Sequence, residues 1–294
     1  MQSSQKSKGR PPRRARRLLR ALGVALVVTL SMLASDALAT RAPTDNSPAF
    51  KEAWDLYQAG KPALAKFEQI VADEKAPKKE RFNSAYVLAV LELARENADA
   101  ALKHLDRADD LVASRPQVAT RRGEALILKK DLKGAAKVLK AAAAGVKSAK
   151  SAELSFTHGL ALTRLEIAAG ENDAARQRLE ALARQRLERW ESYFQIALLY
   201  EKLDDPKPAI SNYAEVLKRD PGKDPFAGIY AYQRHAALSV ASDPGSYGKK
   251  QLLTEAKKNY EIFLKRAEAN GVASNLVAVT TNAVEGIKMF LGGG

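Results

Sequence analysis

Apolar residues recur at i, i+3, i+4 and i+7 from Phe50 almost to the C-terminus, and no stretch alternates convincingly with period two. That spacing places one apolar stripe on each of a long series of amphipathic helices. The segment SAYVLAVLELARENADAALKHLDRADDLV, from Ser84 to Val112, shows the unit: two striped helices around a short polar break at Glu96–Asp99. The same helix–break–helix phrase returns several times, so a fixed internal period is the next thing to test. The final apolar stretch, SNLVAVTTNAVEGIKMFL, has helical spacing and is expected to cap the open end of the array. Its valines and threonines would also suit a strand, but a lone strand there would have no partner.

Superposing the second helices gives one register. An alanine is followed four residues later by a large apolar residue, then three later by a small or apolar one. The matches are Ala101-Leu105-Ala108, Ala135-Leu139-Ala142, Ala175-Leu179-Leu182, Ala209-Tyr213-Val216 and Ala256-Tyr260-Phe263. The alanines stand 34, 40, 34 and 47 residues apart, and the longer gaps coincide with the insertions GVKSAKSAE and ASDPGSYGKK. Twelve residues before the first four alanines, where close helix packing needs a small side chain, stand Ala89, Gly123, Thr163 and Ala197.

The fullest unit holds Tyr193, Ala197, Tyr200, Ala209, Tyr213 and a terminating Asp220-Pro221. With its period of about 34 residues, this pattern resembles the tetratricopeptide repeat (TPR) family. A degenerate first unit carries Ala53, Gly60 and Phe67; the fourth has Gly159 where the family usually has an aromatic; the sixth is interrupted by Asp243-Pro244-Gly245. The resemblance covers about residues 49–266. It implies an all-α, right-handed α-solenoid of five to six helix pairs, with residues 267–294 as a capping helix and tail.

Composition removes several chemistries. There is no cysteine, so disulfides, thiolate metal sites, a cysteine nucleophile and a lipidated cysteine anchor are excluded. The three histidines, His104, His158 and His235, have no ligand spacing; His104 reads as a surface residue, the other two as partly buried and hydrogen-bonded. No phosphate-cradling loop, nucleophile elbow or H-E-x-x-H pair is present. Glu166, Glu171 and Asp173 read as solvated carboxylates paired with nearby arginines. The expectation is a non-enzyme with no cofactor and no metal.

The formal charge of +14 is unevenly placed: residues 1–39 carry +7, with eight basic residues against Asp36. A basic stretch ending at Arg20, an apolar run from Ala21 to Ala34 and the small-residue site Ala37-Leu38-Ala39 form a secretory signal peptide pattern. The run has 14 residues, short of the roughly 20 a spanning helix needs. Cleavage after Ala39 and a periplasmic address are therefore expected, with residues 40–48 as a flexible linker. An uncleaved inner-membrane anchor is the alternative.

If the register holds, the family's groove positions fall on Asn83, Tyr86, Val90 and Leu93; Gln117, Thr120, Glu124 and Ile127; Thr157, Leu160, Arg164 and Ile167; and Glu191, Phe194, Leu198 and Glu201. Charge is sparse there, and Tyr86 and Phe194 stand out as aromatic anchors. Such a groove suits an amphipathic helix or an extended apolar peptide. The resemblance thus implies a scaffold or adaptor for protein partners. Joined to the expected address, this points to a cell-envelope complex of the outer-membrane, pilus, secretion or gliding-motility kind, with membrane contact only through the signal segment or partners. The weaker competitor is a nucleic-acid or anionic-polymer binder, with basic stretches at Lys78–Arg81 and Lys129–Lys140 but no interleaved aromatics for base stacking.

Overall fold

A computed structural model describes residues 46–292 apart from 59–61, 186–188, 220–226, 244–245, 247–248 and 270–273. The expected leader, most of the linker, Gly60, Asp220-Pro221 and Pro244-Gly245 lie outside the described residues. Those that are described form thirteen helices and no strand. They are α1 (Pro48–Gln58), α2 (Leu64–Ala72), α3 (Lys78–Ala94), α4 (Ala98–Leu111), α5 (Pro116–Leu128), α6 (Leu132–Ser148) and α7 (Ala152–Ala169). Then come α8 (Asn172–Ala183), α9 (Trp190–Lys202), α10 (Pro206–Arg219), α11 (Ala227–Ser242), α12 (Lys250–Ala269) and α13 (Ser274–Gly292). They make six successive helix pairs and one terminal helix.

Each helix packs against the one before it and the one after it. In addition, the first helices touch across units: α3 meets α5, α5 meets α7, α7 meets α9, and α9 meets α11. The second helices make no comparable contacts with one another. The odd-numbered helices are therefore an inner layer and the even-numbered ones an outer layer. The apolar core is a chain of local clusters along the array rather than one centre, as stacked repeats require.

The register seen in the sequence is the seam of this core. Ala101, Leu105, Ala108, Ala135, Leu139, Ala175, Leu179, Ala209, Tyr213, Val216 and Phe263 are all fully buried. The small residues of the first helices face the large ones of the second. A Cβ on Gly123 would lie 2.5 Å from Cγ and Cδ2 of Leu139, and one on Gly159 would lie 2.8 Å from Cδ2 of Leu182. The missing aromatic at Gly159 is thus explained by Leu182, whose side chain takes the space.

Four inner helices end in the same turn. Glu96, Lys130, Gly170 and Asp204 have φ of 59°, 62°, 79° and 55°, each five residues before its register alanine. The following N–H reaches back to the carbonyl five residues earlier: Asn97 to Glu92, Asp131 to Leu126, Glu171 to Glu166 and Asp205 to Tyr200. This Schellman closure uses up carbonyls the helix end would leave without partners. Asn97 and Asp131 then cap the next helix, accepting from the Ala100 and Gly134 N–H groups. Period, turn and cap are one repeated device, and only the fourth unit builds it with glycine.

Candidate functional site: the inner layer

Glu96, at the end of α3, acts electrostatically on Lys202, at the end of α9 three units along, and so does Arg164 from α7. Burial lowers the pKa of Lys202, Arg164 lowers it further and Glu96 opposes both. Its side chain is exposed to water.

Polar side chains cross this layer from unit to unit. Arg121 Nε donates to Tyr86 Oη at 3.4 Å, and Arg121 Nη1 to Glu124 Oε2 at 2.7 Å. The other oxygen of Glu124 accepts from Arg164, whose Nη2 donates to Gln195 Oε1 at 3.2 Å. The Arg121 and Glu124 side chains are only 1% and 5% exposed, so this ladder is an interior one. Farther along, Glu201 is gripped by Arg234 through Nε and Nη2, and accepts the Tyr213 hydroxyl proton. Burial, then the Glu201 charge, raise the Tyr213 pKa well above its ordinary value.

Beside the ladder, His158 Nδ1 lies 3.1 Å from Thr120 Oγ1. The threonine hydroxyl donates to the Pro116 carbonyl at 2.9 Å, so the ring must supply the proton between them. Nδ1 therefore carries the hydrogen, and Nε2 is a buried acceptor without a hydrogen-bond partner. Burial depresses the His158 pKa, the Arg178 charge adds to this and Glu124 opposes it. His235 is buried beside Asn259, 3.2 Å from its Nδ1. His104 is half-buried rather than a free surface residue.

The candidate groove residues divide accordingly. Phe194 is fully buried, edge-on to Tyr213 at 5.3 Å, among Trp190, Ile229 and Tyr230. Tyr86 is 6% exposed, stacked on Phe82 and holding Arg121. Both expected aromatic anchors are thus core residues, because the helices of neighbouring units close over them. Val90, Leu93, Thr120, Thr157 and Leu160 are buried too. Asn83, Gln117, Ile127, Arg164, Ile167, Glu191, Leu198 and Glu201 keep part of their surface in solvent. Glu191 is paired with Arg189 at 3.1 Å.

The positions left open are therefore mixed rather than apolar: Ile127, Ile167 and Leu198 together with Arg164, Glu201 and the neighbouring Lys202. A second correction concerns Glu166, read as solvated but buried and held by Arg178 of α8 through Nε at 3.0 Å and Nη2 at 2.6 Å. Asp173 does fit the solvated reading, paired to Arg176 three residues on.

Arg121, Gln195, Arg234 and Lys202 were missed as inner-layer residues. One signal was available: Glu124 and Arg164 are 40 residues apart, the same gap as their register alanines, so opposite charges occupy equivalent places in adjacent units. Arg121 and Gln195 are likewise register equivalents two units apart. Among the described residues no group of three or more His, Asp or Glu side chains is placed to hold a metal ion.

Helix pairs stacked in this way define an α-solenoid of tetratricopeptide type. The chain is similar to a tetratricopeptide repeat protein from Parabacteroides merdae ATCC 43184, with 15% identity, 81% of this chain and 83% of that one covered, and a TM-score of 0.53. It is also similar to the C-terminal part of a TPR repeat-containing protein from Cytophaga hutchinsonii, with 17% identity, 82% and 93% coverage, and a TM-score of 0.42. No protein-family model matches the sequence, and no curated protein does. At such identity the first likeness establishes the fold.

Proposed function

We propose that the chain is an exported periplasmic scaffold that binds a protein partner along the inner layer and serves the assembly or stability of a cell-envelope complex. The observation that carries the binding surface is the set of inner-layer side chains left open beside the ladder, with Ile127, Ile167 and Leu198 half-buried and Lys202 exposed. An amphipathic segment would lay its apolar ridge on the isoleucines and leucine and bring an acidic side chain to Lys202. The address rests on the three-part pattern of residues 1–39.

The binding test is cross-linked co-purification from the native host, comparing wild type with Ile127→Asp/Ile167→Asp and with Lys202→Glu. Each variant is first checked for helicity by circular dichroism. Recovery of specific envelope proteins by wild type and their loss from both variants is the expected result. Equal recovery by all three would remove the inner strip as the binding surface. Intact mass tests the address: an exported protein lacking residues 1–39 is expected, and a chain that never leaves the cytoplasm would overturn it.

A further inference from the structure

The outer layer carries one surface whose charge is one-sided. Helix α6 contains Lys133, Lys137, Lys140 and Lys147 and no acidic residue. At about 100° per residue these four fall within an arc of roughly 80°, a row about 21 Å long. All four are exposed, and the exposed residues among them are Ala136, Ala141, Ala143 and Ala144, too short to screen an ammonium. Lys130 and Lys150, exposed in the turns before and after α6, add to its positive charge. The helix buries its opposite face through Ala135, Leu139, Ala142 and Val146.

Asp131, the N-cap of α6, is the one acid between Lys129 and Lys150, against seven lysines, and its Oδ1 accepts from the Gly134 N–H. Asp99 pairs with Lys129, and Asp106 and Asp109 with Arg122 at 2.6 Å each. None of the four lysines forms an ion pair among the described residues. Lysines elsewhere among the described residues also stand outside ion pairs, as at Lys103, Lys207, Lys258 and Lys265, but they share their helices with acidic residues. The α6 row is therefore an uncompensated field rather than one more solvated face.

The geometry points to this row as an electrostatic docking face for an anionic lipid bilayer, laid flat along α6 with the inner layer turned away. Three features select a bilayer. The segment from Lys129 to Lys150 has no aromatic residue on which a nucleic-acid base could stack. It has no arginine for bidentate capture of a fixed phosphate, only lysines acting as point charges. A fluid anionic surface can move its headgroups to meet a straight row, and the alanines call for adsorption without insertion. Docking through the outer layer leaves the inner strip free, so the two surfaces can act together, and either can fail alone.

The test uses the full chain and vesicles of one part phosphatidylglycerol to two parts phosphatidylcholine, with pure phosphatidylcholine as reference. The basic leader would itself draw the chain to an anionic vesicle, so the readout must be local. With no cysteine in the sequence, Ala144→Cys gives a unique site for a nitroxide on the row, and Asn282→Cys one on the exposed side of α13. On anionic vesicles the label at 144 is expected to become protected from a water-soluble relaxation agent, while that at 282 stays accessible. Adding Lys133→Gln/Lys137→Gln/Lys140→Gln/Lys147→Gln should abolish the protection, since each lysine near an anionic surface contributes about five-fold and four together contribute roughly several hundred-fold. Lys103→Gln/Lys207→Gln/Lys258→Gln/Lys265→Gln, with the same net charge, should leave it intact. Rising salt should release it as the Debye length shrinks.

An unprotected label at 144 on a vesicle-bound chain overturns the proposal, as does equal protection on pure phosphatidylcholine or equal loss in both quadruple variants. Tighter protection by single-stranded DNA than by the anionic vesicles at equal salt would overturn it in favour of a nucleic-acid ligand.

Discussion

Gly123 shows how a single residue position can be forced by its neighbour. A methyl group there would meet the buried Leu139 at 2.5 Å, at Cγ as well as at a terminal carbon. Alanine favours a helix over glycine by about 1 kcal/mol, whereas overpacking a core costs about 1–3 kcal/mol. Gly123→Ala is therefore expected to be net destabilising, by up to about 2 kcal/mol, in urea unfolding. In a Leu139→Ala background the clash is gone and only helix propensity is left, so the same change should become stabilising. Destabilisation of equal size in both backgrounds would disprove the contact.

The buried histidines give a second effect at this scale. Burial lowers the pKa of His158 and His235 below the ordinary 6.5, with Arg178 assisting at His158 and Glu255 opposing at His235. Below that ordinary value the unfolded chain binds protons that the folded chain refuses. The stability conferred by neutral histidines is thus complete above about 6.5, and is lost as pH falls toward the folded values. Each histidine contributes a slope of at most about 1.4 kcal/mol per pH unit. His158→Asn, which keeps a donor toward Thr120, is expected to flatten this acid limb in urea unfolding. An unchanged slope would mean that His158 titrates as it does in the unfolded chain.

At the scale of elements, the ladder across α3, α5, α7 and α9 is the feature with most at stake. Glu124 answers two guanidinium groups, Arg121 from its own helix and Arg164 from the next unit. Removing one partner of a buried ion pair costs about 3–5 kcal/mol, because the remaining charge stays desolvated. Glu124→Gln is expected to lose stability in that range, whereas Arg121→Met/Glu124→Leu/Arg164→Met should recover most of it. Urea unfolding separates the two, and a triple variant no better than Glu124→Gln would show that packing, not charge, dominates there. The ladder runs through the second to fifth units, and Arg234 joins the fifth to the sixth through Glu201. Apolar stripes make helix pairs, but opposed charges at equivalent register positions fix which units are adjacent.

At the scale of the whole molecule, the array combines an inner strip suited to a protein segment with an outer row suited to an anionic surface. Much of this was legible in advance because a repeat is a local object. Period, breaks and small-to-large pairing are set within about 34 residues, and the apolar stripe of each helix already states what it must bury. The alanine register, six helix pairs and terminal helix follow from that local information. The turns at Glu96, Lys130 and Asp204 were harder to read, because three of four use non-glycine residues with positive φ and carry no composition signal.

What only the tertiary structure decided is which inner-layer side chains stay open. Phe194 and Ile127 both occupy groove positions of the register, yet the first is sealed and the second keeps part of its surface in solvent. The helical period fixes the face of a helix on which a residue lies. Whether that face is covered depends on how far the next unit closes over it, and on whether a long arginine or lysine from another unit crosses it. Those are contacts between residues tens of positions apart, set by how successive units stack. The sequence by itself therefore determined the units and their seam; the stacked chain chose the surface.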